Sequence, residues 1–385
     1  MLRPPNSKEL AFQFHGNGLS HLRKIARIAL LLTLPLWLAG CGTGNSVVAP
    51  ATPPPTVTAA ARFAFVVNSL SNDISSFTVD PQTGALTPKD TVPTGGIDSR
   101  VIAVEPSGRF AYVGNSGSND ISVFTIDTNS GRLSMAGSPV PAGNGPRSIV
   151  VGPTGSVLYA VNQQAESISG FSINPSTGAL TPLTGTVTTD AAPVEIRFHP
   201  SGQFAFVANF NSGDVTIYRV DSSGALGLLG AVPAGLSPSS IGLHPSGRFA
   251  YVADFSSNQV AAFSIDQVSG AWTPLAPPAP TGAAPFSITV DSQGRFAYVL
   301  NAVDSTVTTF AVDLASGALT PRSTISAGTN PVALTLDASG RFAYVVSLGS
   351  NNVTTFAIDA TSGVLTPLGP PVTAGTGPTG VALSR

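Results

Sequence analysis

Short runs in which apolar and polar residues alternate cover most of the chain, and Gly, Pro, Asn and Ser separate them. An alternation with period two is typical of half-buried β-strands, and these turn residues favour tight reversals between strands. The run GRFAYVVSLGSNNVTTFAIDATSGVLTP (340–367) nearly repeats GRFAYVLNAVDSTVTTFAVDLASGALTP (294–321). The pattern therefore predicts a repeated β unit.

The most regular part of this unit is an aromatic-Val element that occurs seven times. Its copies are RFAFVVN (62–68), RFAYVGN (109–115), SVLYAVN (156–162), QFAFVAN (203–209), RFAYVAD (248–254), RFAYVLN (295–301) and RFAYVVS (341–347). Each copy has a short run before it, a second alternating run after it, and then an SGALTP-type turn and a looser segment. Seven units of four short strands predict an all-β, seven-bladed β-propeller, in which each blade buries its faces against its neighbours.

The repeat also predicts how the blades interlock and how the ring closes. One position carries an apolar side chain in every copy, and we expect it to pack between blades: Phe63, Phe110, Val157, Phe204, Phe249, Phe296 and Phe342. The C-terminal segment PTGVALS (378–384) resembles an inner strand, whereas the first unit has none before it. We therefore expect the C-terminal strand to join the first blade and close the ring.

The N-terminal segment predicts a cellular address. The positive string RKIAR (23–27) precedes an apolar run and LAGC (38–41), which is the layout of a secretory signal whose apolar part is too short to span a bilayer. LAGC resembles a bacterial lipobox, so we interpret 1–40 as a signal peptide and Cys41, the only cysteine, as the lipidated residue. Residues 41–61 are rich in Pro, Thr and Ala and predict a semi-rigid tether to the propeller at 62–385. These features predict a lipoprotein of the cell envelope that faces the periplasm or the exterior and contacts a membrane through its lipid anchor only.

The composition is compatible with a folded β-protein and limits the kinds of partner that the protein can bind. Only 10% of the residues are charged, but 42% are hydrophobic, which is enough for a core. From residue 41 onward there are thirteen Lys/Arg and nineteen Asp/Glu, with no basic run or basic aromatic face. Nucleic acid is therefore not an expected partner. We expect a monomer.

The repeated pattern RFAYVxN…VxxFxxD…SGxLTP resembles the seven-bladed lactonase family and the wider group of YVTN-type propeller repeats. The resemblance covers nearly all of 62–385. It implies hydrolysis or cyclisation of a lactone in a cleft at the ring centre by His, Arg and Glu side chains. Because the motif specifies the blade rather than the chemistry, it predicts the fold more strongly than the activity.

The histidines do not fit that chemistry. From residue 41 onward there are two, His199 and His244, and both lie in HPSG strings that match turns such as EPSG (105–108) and DASG (337–340). We predict a turn role for both. The inner strands, where a catalytic histidine would follow the first proline, have other residues: Arg147, Val194, Ser239, Phe286, Val332 and Thr379.

Two further sets of polar residues recur once per blade. An Asp or Asn precedes each Ser-Gly turn, as in Asp80 and Asn174, and we expect it to cap that turn rather than to bind calcium. The arginines of the GRF-type strings (62, 109, 248, 295 and 341) are expected to pair with neighbouring blades. No Cys/His cluster suggests zinc, so we predict neither a metal nor a cofactor.

The only charges that break the repeat point to a candidate site. Glu195 and Arg197 occupy inner-strand columns that are otherwise small, and two residues apart on a strand they share one face. Arg100 and Arg147 start the two preceding inner strands. One interpretation is a local ion pair that fills a gap between blades. The other is a central pocket in which the three arginines bind an anion, with Glu195 orienting an arginine or acting as a base.

Three functions are compatible with these features. The first is an envelope module that binds a small anionic ligand or a protein partner, which the missing histidine favours. The second is a lactone hydrolase with a central-channel site, where Glu195 and Arg197 are the catalytic candidates, which the family resemblance favours. The third is a purely structural role in the envelope.

Overall fold

The structure of the protein is a computed structural model that describes residues 62–185, 187–275 and 277–384. The predicted signal peptide (1–40), the lipidation site Cys41 and the tether (41–61) lie outside the described residues. The regular secondary structure within the described ranges consists of β-strands, which form seven sheets.

Each sheet is one blade, and the blades follow one another in chain order. Blade 1 has β1 (Phe63–Asn68), β2 (Asp73–Val79) and β3 (Leu86–Pro93); blade 2 has β4 (Ser99–Val104), β5 (Phe110–Asn115), β6 (Asp120–Ile126), β7 (Leu133–Met135) and β8 (Val140–Pro141). Blade 3 has β9 (Pro146–Val151), β10 (Val157–Asn162), β11 (Ser167–Ile173), β12 (Leu180–Pro182) and β13 (Val187–Thr188); blade 4 has β14 (Pro193–Phe198), β15 (Phe204–Asn209), β16 (Asp214–Val220) and β17 (Leu226–Pro233). Blade 5 has β18 (Pro238–Leu243), β19 (Phe249–Asp254), β20 (Gln259–Ile265), β21 (Trp272–Pro274) and β22 (Ala279–Pro280); blade 6 has β23 (Pro285–Val290), β24 (Phe296–Asn301), β25 (Thr306–Val312) and β26 (Leu319–Ser326). Blade 7 has β27 (Pro331–Leu336), β28 (Phe342–Ser347), β29 (Asn352–Ile358), β30 (Leu365–Pro367) and β31 (Val372–Thr373), and β32 (Pro378–Ser384) is the last strand.

The ring closes with the last strand, which confirms the prediction. β32 pairs antiparallel with β1, with Phe63 opposite Ser384 and Val66 opposite Val381, so it is the inner strand of blade 1. It also contacts the inner strands of blades 2 and 7, β4 and β27. Because every blade then packs against two neighbours within residues 62–384, we expect this part of the chain to fold without the segment that precedes it.

The predicted packing position interlocks the blades all around the ring. The aromatic ring, or Val157, of each blade lies against the glycine of the Ser-Gly turn in the next blade. These pairs are Phe63–Gly131, Phe110–Gly178, Val157–Gly224, Phe204–Gly270, Phe249–Gly317, Phe296–Gly363 and Phe342–Gly84. Each of these glycines has a positive φ and no room for a Cβ, so both the turn and the contact require glycine.

Hydrogen bonds reinforce the same joint. In five blades a buried tyrosine donates its hydroxyl hydrogen to the carbonyl of that glycine: Tyr112–Gly178, Tyr159–Gly224, Tyr251–Gly317, Tyr298–Gly363 and Tyr344–Gly84. Arg62, Arg109 and Arg341 lie over their own blade's phenylalanine and donate to a carbonyl of the next blade, which confirms the pairing expected of them.

The turn caps are also as predicted. Asp80 Oδ1 accepts hydrogen bonds from the backbone N–H groups of Gln82 and Thr83, and these bonds lower the pKa of Asp80. Asn174 caps the equivalent turn of blade 3 in the same way. The column of Asp and Asn residues is therefore distributed around the ring as local turn caps.

Two glycines of blade 7 test the interlock. Gly363 and Gly369 have nearly the same φ, 73° and 70°, but a Cβ added at Gly363 overlaps the ring of Phe296, whereas one added at Gly369 has no atom within 4 Å. Both alanine variants carry the same backbone strain, so the extra loss in Gly363→Ala reports the contact. We expect it to be less stable than Gly369→Ala by about 1–3 kcal/mol, the usual cost of overpacking. Chemical denaturation of both variants measures the difference, and equal stabilities would show that the joint does not depend on this glycine.

Candidate functional site

A β-bulge in every inner strand directs one side chain toward the centre of the ring. The first residue of each inner strand and the third pair with adjacent residues of the next strand, so the second residue is the extra one. Bulges change the direction of a side chain and are frequent beside functional sites. The seven bulged residues begin the inner strands beside the inter-blade connectors, and all except Val332, which is buried in a core cluster, are partly exposed: Arg100, Arg147, Val194, Ser239, Phe286, Val332 and Thr379. We call this set the mouth.

Arg100 is already paired. Its Nε lies 2.8 Å from Oδ2 of Asp98, the residue two positions earlier, and both side chains are about one-third exposed. The connector presents Asp98 with φ 53° while its backbone N–H donates to the side chain of Asn72. The pair is therefore nearly neutral and held by the connector between blades 1 and 2.

Arg147 reaches across the mouth. Its guanidinium carbon lies 5.6 Å from the centroid of the Phe286 ring, and blade 6 is three blades away from blade 3 in a ring of seven. This separation is within the range of cation–π contacts. Among the described residues, Arg147 has no ion pair and no side-chain hydrogen bond. Its five N–H donors are therefore free for a ligand or for water.

Arg147 has charged neighbours of both signs. Burial lowers the pKa of Arg147 to about 10, and the like charge of Arg100 acts in the same direction, whereas Asp98 and Glu195 oppose both. A pKa near 10 still leaves the guanidinium protonated at neutral pH. The mouth therefore has a cation that is partly desolvated and only weakly compensated.

Glu195 and Arg197 lie deeper in the channel and bind each other. Arg197 Nη2 lies 2.5 Å from Glu195 Oε1, and the other carboxylate oxygen accepts a hydrogen bond from the backbone N–H of Ile241 in blade 5. The Glu195 side chain is 13% exposed and that of Arg197 is 43% exposed. Since the exposed side of an inner strand faces the axis, Arg197 lines the channel, roughly 10 Å below the mouth at about 3.3 Å per residue.

Serines show why Glu195 takes this position. Ser148 and Ser240 occupy the same column in blades 3 and 5, and each accepts a hydrogen bond from the corresponding N–H of the next blade's inner strand. In blade 4, Glu195 takes the place of the serine. One of its carboxylate oxygens accepts the hydrogen bond from the next blade, and the other binds Arg197. Both carboxylate oxygens are thus engaged, which suits a residue that positions Arg197 better than one that removes a proton.

The structure therefore brings the four predicted residues into two levels of one channel. Arg147 is influenced by both Arg100 and Glu195, and Arg197 contacts Glu195. That the three arginines bind an anion in one pocket stays a prediction, and Arg100 already has Asp98 as a partner. Sequence reasoning missed two contributors, Asp98 and Phe286. The sequence shows that Asp98 lies just before an inner strand and that Phe286 takes the same inner-strand position as Arg147. It does not show that Arg147 contacts Phe286 across the ring.

Both histidines take the predicted turn role. His199 Nδ1 lies 2.7 Å from Ser201 Oγ, and its Nε2 lies 3.0 Å from the carbonyl oxygen of Gly247 in the next blade. His244 Nδ1 makes the same contact with Ser246. Both rings are buried, and burial lowers the pKa of each below its usual value. They lie at the turns opposite the connectors, where His199 hydrogen bonds to the next blade and His244 packs against Gly294 of the next blade without a hydrogen bond at its Nε2 among the described residues.

These lowered pKa values predict a pH dependence of stability. Below about pH 6.5 the unfolded chain binds protons that the buried rings resist, so stability should fall as the pH decreases through that value and should be constant above it. Thermal unfolding between pH 5.5 and 7.5 measures this. In the double variant His199→Asp/His244→Asp, the repeat's own alternative at Asp291 and Asp337 replaces the rings, and we expect a flatter profile. An equally steep profile would assign the effect to other groups.

Two properties of the described residues bear on ligands and location. Within those residues no group of three or more His, Cys, Asp or Glu side chains is placed to hold a metal ion. The described part of the chain also has no helix with the length and hydrophobicity that a bilayer span requires.

Comparisons with known proteins agree with the architecture. The sequence model of the family described as "Lactonase, 7-bladed beta-propeller" matches residues 56–194, 183–285 and 273–382. No curated protein matches the sequence significantly.

Solved structures with the same fold come from several bacteria. The periplasmic gluconolactonase of Pseudomonas aeruginosa superposes with a TM-score of 0.74 and 23% identity over 84% of this chain and 99% of that chain. A Lactobacillus plantarum protein gives 0.75 and 24% over 85% and 100%, and a candidate 6-phosphogluconolactonase of Bacteroides fragilis gives 0.75 and 19% over 86% and 100%. At these identities the likeness shows the fold alone.

Proposed function

The chain belongs to the seven-bladed lactonase family of β-propellers, and on that premise we propose that it binds a small anionic molecule at the mouth of its central channel. The observation that carries the proposal is the guanidinium of Arg147, half-buried and without a carboxylate partner among the described residues. Guanidinium groups pair strongly with carboxylates and phosphates, often through two parallel hydrogen bonds. The ligand class is therefore a small carboxylate or phosphate.

The charge balance of the channel supports an anion. Asp98 neutralises Arg100 and Glu195 neutralises Arg197, so the third arginine leaves one positive charge at the mouth. Its contact with the Phe286 ring compensates a cation only weakly compared with a charged acceptor. An anion that enters the mouth would supply that acceptor.

The polar and apolar neighbours of Arg147 fit a small organic ligand. Ser239 and Thr379 already donate to carbonyls of the adjacent blades, and Val194 and Phe286 supply partly exposed apolar surface. A few charged or polar groups within an apolar lining are typical of small-molecule sites. The mouth therefore suits a ligand with one anionic group and a less polar body.

The proposal includes a place in the cell envelope with lipidation at Cys41. The chain enters the propeller at Arg62, whose backbone N–H donates to Ser384 at the end of β32 that is opposite the connectors. In that location a small anionic solute of the envelope is the ligand that the mouth would meet.

Hydrolysis of a lactone is the second candidate, and family membership is the observation that favours it. In that case Arg197 would stabilise the developing oxyanion and Glu195 would activate water. Both carboxylate oxygens of Glu195 already have partners, an arrangement that poorly suits a base that activates water, and we therefore prefer binding without turnover.

The first test measures binding by Arg147. Calorimetric titration of residues 62–385 with gluconate and with inorganic phosphate should detect binding that Arg147→Gln weakens at least about tenfold, since hydrogen bonds to a charged group contribute about 1.5–3 kcal/mol. Arg322→Gln, which removes an exposed arginine on the outer strand of blade 6, is the matched control and should not change the affinity. Equal effects of the two substitutions would contradict the site.

A further variant and an activity assay separate the two candidates. Phe286→Leu removes the ring that competes with the anion for Arg147, so binding should tighten by about twofold to thirtyfold for a contact of 0.5–2 kcal/mol. Weaker binding would mean that the ring contacts the ligand instead. Hydrolysis of gluconolactone faster than in buffer, lost in Glu195→Gln, would establish the second candidate over the first.

The address is tested independently. In a bacterial host, Cys41→Ala should abolish incorporation of radiolabelled palmitate and release the protein from the membrane fraction or leave it unprocessed. Cys41 is the only cysteine, so label that persists in this variant would have to be attached elsewhere and would refute the assignment.

A further inference from the structure

The outer edges of the blades differ in a way that the mouth does not explain. Four blades divide the outer strand into a three-residue and a two-residue piece, whereas blades 1, 4 and 6 keep an unbroken strand of eight residues, β3, β17 and β26. A long outer strand exposes a row of unpaired backbone N–H and C=O groups, which another strand can bind. Proteins usually protect such edges with proline, charge or a bulge.

Blades 1 and 6 combine a bulge with proline and charge, whereas blade 4 keeps the bulge alone. The residue opposite Phe77 of β2 is Pro88 in β3, and the residue opposite Phe310 of β25 is Pro321 in β26; the unpaired residue that follows is Lys89 or Arg322. In β17 the same two positions are Leu228 and Leu229. The bulge remains, but the proline and the charge are replaced by apolar side chains.

These leucines are among the most exposed large apolar side chains of the described chain. Leu228 is 66% exposed and Leu229 is 48% exposed, and β17 has no charged residue from Leu226 to Pro233. A strand edge that combines free backbone groups, exposed leucines and no charge favours association with another β-strand.

We propose that β17 pairs edge to edge with β17 of a second copy of this chain. Antiparallel pairing about a two-fold axis is the arrangement in which one strand is complementary to itself, because each copy offers the same donors, acceptors and side chains. The axis brings the leucines of the two copies together, and no like charges oppose each other. The partner is therefore a second copy rather than an unrelated groove or helix.

The size of the contact predicts a weak dimer. Eight residues of strand extend over about 26 Å, so one strand pair with two leucines on each side lies below the roughly 1,200 Å² that stable interfaces bury. The association should therefore depend on concentration. The monomer expected from the sequence is then the dilute form, and a membrane that concentrates the protein would favour the dimer.

Sedimentation equilibrium of residues 62–385, from low micromolar to near-millimolar concentration, tests the proposal. The wild-type protein should show a reversible monomer–dimer equilibrium. Leu228→Pro/Leu229→Arg gives blade 4 the edge of blade 6, and Leu229→Arg alone changes a bulge residue that has no partner in β16. Each should weaken association at least about tenfold, a change of 1.4 kcal/mol or more, while thermal unfolding reports that the ring is intact.

Two controls define the outcome. Leu70→Arg replaces another exposed apolar residue, 71% exposed in the turn between β1 and β2 of blade 1, and should leave association unchanged. Pro321→Leu/Arg322→Leu removes the protection of blade 6 and should add a second self-association site with species larger than a dimer. A wild type that stays monomeric at every concentration, or a Leu229→Arg variant that dimerises as the wild type does, would overturn the proposal. Arg147→Gln should not alter the dimer, so the two proposals fail separately.

Discussion

The contact between the aromatic side chain of one blade and the turn glycine of the next is the interaction on which the other features depend. A single four-stranded blade cannot bury both of its faces, so its stability comes from its neighbours. Phe342 of the last blade contacts Gly84 of the first, which makes the series of contacts continuous around the ring. The same joint fixes the rotation of each blade relative to the next, and therefore how far the inner strands stand from the axis.

The radius of the ring determines what the centre can hold. Seven inner strands leave an opening that the long side chain of Arg147 crosses to reach Phe286 on the opposite blade. Small residues such as Ser148 and Ser240 connect adjacent inner strands, and only blade 4 places a carboxylate in that column. The blades are thus nearly interchangeable as a scaffold, and individuality comes from the few positions where one copy departs from the others.

The sequence was sufficient to predict the repeat and the ring closure by β32, and it offered the pairing of Glu195 with Arg197 as one of two interpretations, because each depends on local alternation or on comparison between copies. It was not sufficient for Asp98 and Phe286. Alternation assigns every residue to one of two faces, but a bulge inserts a residue that belongs to neither, so the direction of Arg147 could not be read from its position. The partner on the opposite blade depends on the ring radius, which no window of the sequence contains. The opposite holds for the turn histidines, where comparison with EPSG and DASG strings predicted their role correctly.

The charged residues by which blades 3 and 4 depart from the repeat are of two kinds, which differ in whether another group of the chain neutralises the charge. Glu195 places a negative charge in a column of small residues, and an ion pair with Arg197 and a hydrogen bond from the N–H of Ile241 stabilise that charge. Arg147 has no such ion pair among the described residues. It is partly desolvated and repelled by Arg100, and an aromatic ring and more distant carboxylates are its compensation. A group that breaks the local rule without an evident compensating contact marks a functional position more often than a structural one. Since a serine or threonine fits the same bulge in blades 1 and 5, the scaffold does not require an arginine there. The charge is better explained by what enters the mouth than by what holds the ring.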